Sequence, residues 1–218
     1  MSPDKYQSYR SLRDGEQEGV DYKILSSSRP SRYIIMAPHG GGIEPGTTEI
    51  AEAIAGDTFS FYSFLGMKEK GNTVLHIASD RFDEPIGLQL VQFAATAVTI
   101  HGCEGTDRYV CLGGLQRELV ERISASLKQA GFLVKEEVRS HLAGKRLDNI
   151  CNRSQEGRGV QIEISHGLRR FLLNGVHGTA RLGNTAEFNA FVQAIRDVLF
   201  QNSAVGKACG LNGQGDSD

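Results

Sequence analysis

The sequence predicts a single α/β domain with a mixed, mostly parallel sheet flanked by helices. Short apolar runs alternate with amphipathic segments along most of the 218 residues, and this alternation is typical of strands joined through helices. A chain of this length that is 39% hydrophobic and 23% charged can bury a substantial hydrophobic core without disulfides. We expect the domain to span residues 1–202 and the Gly-, Ser- and Asn-rich residues 203–218 to form a disordered tail.

The predicted elements follow the hydrophobic periodicity of the chain. Strands are expected at residues 21–26, 33–38, 59–64, 73–78, 97–100, 109–112, 132–138 and 160–165. Helices are expected near the N-terminus and at residues 47–55, 85–94, 115–130, 168–173 and 185–200. Pro85 suits the first turn of its helix, and Asn184 or Thr185 is expected to cap the last one.

The overall charge and the N-terminal residues exclude several classes of protein. A formal net charge of −2 provides no basic field for nucleic acid or an anionic membrane, and no apolar run is long enough for a spanning helix. Residues 1–18 are polar and lack the apolar centre of a signal peptide. We therefore expect synthesis in the cytoplasm without a signal peptide and no binding to nucleic acid or membrane. A monomer is the default expectation for the oligomeric state.

The segment from residue 33 to residue 46 carries the strongest functional signal. An apolar run ends at His39, glycines 40–42 follow, and Glu44 comes next. Imidazole and carboxylate are both zinc ligands, and a catalytic zinc usually has three protein ligands and one open position. The glycines lack a Cβ and allow the chain to bring Glu44 back beside His39. The alternative is a tight strand-to-helix turn with no metal.

A third ligand has to come from another histidine. His101 is preferred because it ends an apolar strand and precedes Gly102, as His39 precedes a glycine, and α/β sheets place their sites at the carboxyl ends of strands. His76, within the predicted strand 73–78, is more typical of a hydrogen-bonded core histidine and remains the second candidate. The spacing of the cysteines matches no zinc motif. Cys103 stands two residues past His101, so it remains a further candidate ligand.

A zinc hydrolase also needs a general base near the metal-bound water. In residues 160–165 apolar side chains alternate with polar ones, so Glu163 is expected to point away from the apolar face. The alternative is a solvent-facing glutamate on an edge strand. Arginine forks suit a substrate carboxylate; the candidates are Arg81, Arg153, Arg169 and Arg170.

The order of these motifs resembles one known family. The segments are 37–44 (Ala-Pro-His-Gly-Gly-Gly-Ile-Glu), 75–77 (Leu-His-Ile), 81–85 (Arg-Phe-Asp-Glu-Pro), 100–102 (Ile-His-Gly), 149–153 (Asn-Ile-Cys-Asn-Arg) and 159–165 (Gly-Val-Gln-Ile-Glu-Ile-Ser). Together they resemble the poly-γ-glutamate hydrolase family of Bacillus and its phages, which is related to zinc carboxypeptidases and the succinylglutamate desuccinylase group. The resemblance covers about residues 5–200.

The resemblance implies a fold, a metal and a reaction. It implies a zinc-carboxypeptidase-like sheet, one zinc and cleavage of γ-glutamyl amide bonds in an anionic polymer. Carried over by motif, the zinc ligands are His39, Glu44 and His101, the general base is Glu163, and the substrate contacts are Arg153, Arg81, Asn152 and Arg169. The polymer is extracellular, and release by cell lysis is one route to it.

This sequence departs from the pattern of the relatives at two points. The carboxypeptidases use His-x-x-Glu, whereas four residues separate His39 from Glu44. Asp80 stands where a histidine is expected before Arg81.

Other functions remain as alternatives or are excluded. A small acyl-glutamate amidohydrolase and a phage replication-associated nucleic-acid-binding protein are the alternatives. A serine esterase is excluded because the chain has no Gly-x-Ser-x-Gly elbow. A phosphate loop is excluded because its Gly-Lys-Ser/Thr is missing after the glycines, and Glu44 puts a negative charge where phosphate would sit.

Overall fold

The computed structural model describes residues 4–136, 143–175 and 185–208. The helices are α1 (Tyr9–Arg13), α2 (Thr47–Ala55), α3 (Pro85–Phe93), α4 (Arg117–Gln129), α5 (His166–Leu172) and α6 (Ala186–Ala208). The strands are β1 (Tyr22–Ser27), β2 (Tyr33–Gly41), β3 (Ser60–Gly66), β4 (Thr96–Cys103), β5 (Val110–Gly114), β6 (Val134–Glu136) and β7 (Val160–Ser165). Two short 3₁₀ turns lie at Asn72–Leu75 and Ile150–Asn152.

The strands form one mixed sheet in the order β1-β3-β2-β4-β7-β5-β6. Strand β1 is antiparallel to β3 and β5 is antiparallel to β7, while the other neighbouring strands are parallel. The predicted mixed, mostly parallel α/β sheet is therefore confirmed. The central strands β2, β4 and β7 are parallel neighbours, so their carboxyl ends meet at one edge.

Each face of the sheet is covered by its own apolar cluster. Side chains of α2, α4, α5 and α6 pack on one face, with Ile50, Leu119, Leu168 and Phe191 among the buried residues. The opposite face, called here the site face, is covered by α1, α3 and the segment between β3 and α3, with the buried residues Tyr9, Leu75, Phe82 and Val91.

The predicted strand at residues 73–78 is wrong. Residues 72–75 form a 3₁₀ turn, and His76 follows it outside any strand. Strand β3 has β1 and β2 as neighbours, so this segment cannot pair with the strand that precedes it in the chain. It crosses the site face instead, where Leu75 and Ile77 are buried.

The other predicted elements differ from the structure mainly at their ends. The strand expected at 132–138 is observed as β6, with residues 137–138 outside the described part. Thr185 caps α6, because its Oγ1 accepts a hydrogen bond from the Phe188 amide at 3.0 Å; Asn184 is outside the described residues. Helix α6 continues through residues 203–208, which the sequence assigned to the tail. Residues 209–218 lie outside the described part.

No described helix has the length and apolar character needed to cross a bilayer.

Candidate metal centre

A bulge in β2 turns His39 toward the site face. Between Ala37 and Gly40 strand β2 advances three residues, while its partner β3 advances only two, from Ser63 to Leu65. Without the extra residue, the alternation along the strand would place His39 on the face of Ala37. Bulges re-aim side chains in this way. Gly40 is needed here because a Cβ would lie 2.2 Å from the Ser63 hydroxyl oxygen.

Glu44 returns to His39 through the glycine turn. The Glu44 amide donates to the His39 carbonyl at 2.9 Å, and its Oε1 lies 3.1 Å from His39 Nδ1. Its Oε2 accepts a hydrogen bond from the Gly102 amide at 2.8 Å. The prediction that the glycines bring Glu44 beside His39 is confirmed, and the longer His-x-x-x-x-Glu spacing does not prevent the contact.

His101 approaches the same point from β4. Its Nδ1 lies 3.2 Å from His39 Nδ1 and 3.6 Å from Glu44 Oε2. One potential ligand atom from each of His39, Glu44 and His101 lies within 4.8 Å of the others. Both imidazoles are almost completely buried, with 2% of each residue exposed. The three residues selected from the sequence therefore form one cluster.

A hydrogen bond behind His39 orients its ring. His39 Nε2 lies 2.8 Å from the Ile77 carbonyl oxygen, which can only accept, so this nitrogen carries the proton in the neutral ring. His39 Nδ1 then presents a lone pair toward Glu44 and His101. Outer partners of this type orient metal-ligating histidines. Two imidazole nitrogens and a carboxylate around one point are a donor set that fits zinc.

The charge state of Glu44 also suits a metal ligand. Burial alone would raise the pKa of its carboxyl, but the neighbouring imidazoles of His39 and His101 hold that pKa well below its ordinary value of 4.5. Glu44 is therefore ionised at neutral pH, as a ligating carboxylate must be.

His76 supports the cluster from outside. Its ring centroid lies 4.0 Å from that of His39, and its Nδ1 lies 2.8 Å from Asp4 Oδ1. The charge of His39 and burial lower the pKa of His76 to about 4. Among the described residues, the metal-capable cluster contains His101 and not His76.

Glu163 lies on the neighbouring strand at the same level as the cluster. It is the register partner of His101 in the β4–β7 pair, so both side chains project on the site face. Strand β7 is central, and only 3% of Glu163 is exposed. The alternative of a solvent-facing glutamate on an edge strand is thereby excluded.

Arg169 connects the turn after β2 to the end of β4. Its Nη1 donates to the Pro45 carbonyl at 2.9 Å and its Nη2 to the Cys103 carbonyl at 3.2 Å. Pro45 follows Glu44, and Cys103 lies two residues past His101, so one buried guanidinium holds two segments that contribute to the His-Glu-His cluster. Burial lowers the pKa of Arg169, while the charge of Glu44 opposes that change.

The other predicted substrate contacts have different surroundings. Arg81 is exposed, and its Nη2 lies 3.2 Å from Asp4 Oδ2. Arg153 is partly buried and donates to the Phe82 carbonyl at 3.4 Å. Asn152 is buried, and its amide nitrogen donates to the backbone oxygens of Gly144 and Arg146 at 2.7 and 2.8 Å. Arg170 is exposed on α5.

Sequence reasoning missed two polar residues beside Glu163. Gln161 Nε2 donates to Glu163 Oε1 at 2.9 Å, and Asn149 Nδ2 donates to Gln161 Oε1 at the same distance. The alternation of β7 already placed Gln161 on the face of Glu163, which was the available signal. Asn149 lies twelve positions before Gln161 in the chain, and nothing in the local sequence pattern around Asn149 indicates its contact with Gln161.

The sheet and the buried His-Glu-His cluster define a hydrolase with a carboxypeptidase-like α/β fold. Residues 6–194 match the family described as poly-gamma-glutamate hydrolase, and the chain belongs to that family. The resemblance identified from the sequence motifs is therefore confirmed.

Individual relatives are similar to this chain over most of its length. The SPbeta prophage-derived UPF0714 protein YoqZ of Bacillus subtilis is 37% identical over 187 residues, which cover 82% of this chain and 67% of YoqZ. The structure of a bacteriophage poly-gamma-glutamate hydrolase has a TM-score of 0.89 at 32% identity, covering 93% of this chain and 100% of that one. The apo, zinc-free structure of YndL has a TM-score of 0.87 at 32% identity, covering 92% and 99%.

Proposed function

We propose that this chain is a zinc-dependent hydrolase that cleaves γ-glutamyl amide bonds of poly-γ-glutamate. The observation that carries the proposal is the convergence of His39, Glu44 and His101 at the carboxyl ends of the central strands, with Glu163 on the next strand. Family membership supports the substrate, because a solved relative is itself described as a poly-gamma-glutamate hydrolase.

Zinc is the metal we propose for the cluster. The donor set of two imidazoles and one carboxylate is typical of catalytic zinc, and YndL is described in a zinc-free form. Zinc held by His39, Glu44 and His101 would supply a Lewis acid that polarises the amide carbonyl and lowers the pKa of water. The Ile77 carbonyl and the Gly102 amide keep His39 and Glu44 in ligating orientation.

Glu163 is the proposed general base. Its carboxylate accepts a proton from the attacking water and returns that proton to the nitrogen of the leaving amine. The same group can perform both transfers because the carboxylate becomes a carboxylic acid when it takes the proton, and this acid is the donor for the amine nitrogen. Its position opposite His101 in the register of β4 and β7 supports this role.

Arg153 and Arg81 are the proposed partners of the substrate carboxylates. Each guanidinium can donate two parallel hydrogen bonds to a carboxylate. Arg153 contacts the backbone of Phe82, and the Phe82 ring centroid lies 6.4 Å from that of His39. The sequence motifs also suggest Asn152 and Arg169 as substrate contacts. The side chains of both residues donate hydrogen bonds to backbone carbonyls, which favours a role in holding the surrounding backbone in place.

Glu163→Gln provides the first test. This variant keeps the size of the side chain and removes the proton acceptor, so turnover of poly-γ-glutamate should fall by about 10²–10⁴-fold while zinc content stays at the wild-type level. Glu121→Gln, on the exposed surface of α4, is the matched control and should keep full activity. A fully active Glu163→Gln variant would remove Glu163 from the mechanism.

Substrate choice is tested with the same preparation. Poly-γ-glutamate, α-linked polyglutamate and a small N-acyl-glutamate should be compared at equal concentrations of cleavable bonds. Preference for the γ-linked polymer supports the proposal, whereas preference for the small substrate would move the activity to an acyl-glutamate amidohydrolase. Salt-sensitive binding to DNA without hydrolysis would favour the nucleic-acid alternative.

A further inference from the structure

A chain of three hydrogen bonds ends at Glu163. The Cys151 amide donates to Asn149 Oδ1 at 3.0 Å, Asn149 Nδ2 donates to Gln161 Oε1 at 2.9 Å, and Gln161 Nε2 donates to Glu163 Oε1 at 2.9 Å. The three side-chain residues are 4%, 2% and 3% exposed, respectively. The chain therefore lies inside the protein, beneath the site.

The direction of every bond in this chain is fixed by its first member. A backbone amide can only donate, so the oxygen of the Asn149 side chain must face Cys151. The nitrogen of Asn149 is then turned toward Gln161, whose oxygen accepts. The remaining Gln161 nitrogen has to face Glu163, and Glu163 receives a donor rather than an acceptor.

We propose that Gln161, with its orientation set by Asn149, is a positioning residue that fixes the rotation of the Glu163 carboxylate for proton transfer. This inference rests on the proposed function, because it assigns a support to the proposed general base. Neither amide touches the substrate in this proposal, and both act through Glu163.

The carboxylate needs such a support because its terminal torsion is soft. The last torsion of a glutamate is broad and roughly two-fold, so packing alone leaves the plane of the carboxylate poorly defined. An amide donor at 2.9 Å from one oxygen selects one plane. A displacement of about 1 Å at a reacting group can cost about 10²-fold in rate, so the orientation of Glu163 affects turnover more than binding.

Three nearly isosteric variants test the proposal. Gln161→Met removes the donor without adding charge. Gln161→Glu replaces the donor with an acceptor facing Glu163. Asn149→Asp keeps the oxygen that accepts from Cys151 but cannot donate to Gln161, so the Gln161 amide should rotate and turn its oxygen toward Glu163.

Each variant should lower kcat on poly-γ-glutamate by about 10- to 100-fold, with KM within about twofold of wild type and unchanged zinc content. The Gln161→Met/Asn149→Asp double variant should lose no more than Gln161→Met alone, because both changes break one chain. Gln155→Met is the control: its amide donates to the Phe93 carbonyl on an exposed part of the chain, and its kcat should be unchanged.

Two results would overturn the inference. Gln161→Met and Asn149→Asp with wild-type kcat would show that the amides do not position the base. Loss of zinc in step with kcat would show a general structural role. Either failure is distinct from failure of the proposed function, because Glu163→Gln reports on that separately: an inactive Glu163→Gln beside an active Gln161→Met removes only the positioning role.

Discussion

The Nδ1 atoms of His39 and His101 face each other 3.2 Å apart across β2 and β4. Two nitrogen lone pairs at this distance repel each other unless a cation or a proton lies between them. The Glu44 carboxylate lies 3.1 Å from the first nitrogen and 3.6 Å from the second. A zinc ion bound by all three groups would remove the repulsion and satisfy the carboxylate.

Replacing His101 should abolish tight zinc binding. His101→Ala removes one of three proposed ligands, and zinc affinity should fall by more than about 100-fold, because loss of an outer-shell contact alone costs about 10–100-fold. Metal analysis after gel filtration measures the effect. His166→Ala, on the exposed surface of α5, should keep wild-type zinc. Full zinc retention by His101→Ala would rule out this ligand set.

A side chain at position 40 should disturb the bulge that directs His39. The Cβ of Gly40→Ala would lie 2.2 Å from the hydroxyl oxygens of Ser63 and Thr48, which hydrogen-bond to each other at 2.8 Å. We expect the free energy of unfolding to fall by about 1–3 kcal/mol and zinc affinity to fall with it.

The control for this variant is Gly19→Ala, where a Cβ would meet no atom within 4 Å. Its positive φ of 83° should cost about 1–2 kcal/mol of stability and leave zinc binding unchanged. Equal zinc affinities for Gly40→Ala and wild type would show that the bulge does not control the position of His39.

Arg169 and Arg170 are adjacent arginines with opposite expected behaviour. Arg169→Met leaves the carbonyls of Pro45 and Cys103 without their donor, so unfolding free energy should fall by about 2–5 kcal/mol. Zinc affinity should fall as well, because Pro45 adjoins Glu44. Arg170→Met should change neither quantity. Denaturant unfolding measures stability and zinc titration measures affinity. An Arg169→Met variant as stable as Arg170→Met would show that the hydrogen bonds from Arg169 to Pro45 and Cys103 do not stabilise the site.

Glu16 should contribute to stability above its unfolded pKa. Burial alone would raise the pKa of this carboxyl, but hydrogen bonds from Lys68, Tyr6 and Lys5 lower it below the ordinary value of 4.5. A group with a depressed folded pKa stabilises the protein above pH 4.5, and that stabilisation is lost as pH falls through the folded pKa.

Urea unfolding between pH 7 and pH 3 checks this contribution. Glu16→Gln should be less stable than wild type at pH 7, and the difference should shrink below pH 4.5. Glu121→Gln should follow the wild-type curve throughout. A stability difference for Glu16→Gln that does not change with pH would contradict the assigned ion pairs.

The cluster of His39, Glu44 and His101 could be predicted from the sequence because its signals are local. His39 and His101 each lie near the carboxyl end of an apolar strand and precede a glycine. The glycine turn places Glu44 close to His39 within five residues. The parallel arrangement of β2 and β4 then brings the two strand ends together, as expected for an α/β sheet.

The bulge, the position of His76 and the amide chain could not be predicted because they depend on tertiary contacts. A one-residue shift in β2 is visible only against β3, and His76 lies outside the sheet because its neighbours Leu75 and Ile77 pack across the site face. Asn149 meets Gln161 through a loop that crosses the site face, and the local sequence does not encode its path.

The most direct test of the central claim is the chain length of poly-γ-glutamate after treatment with metal-loaded, chelated and zinc-restored enzyme. Solution viscosity and size-exclusion chromatography report the length, and metal analysis accompanies each sample. We expect a single bound zinc in the active enzyme, loss of cleavage on chelation and recovery when zinc is returned. Undiminished cleavage by a preparation shown to be free of metal would contradict the zinc-dependent mechanism, and absence of cleavage by the zinc-loaded enzyme would contradict the proposed substrate.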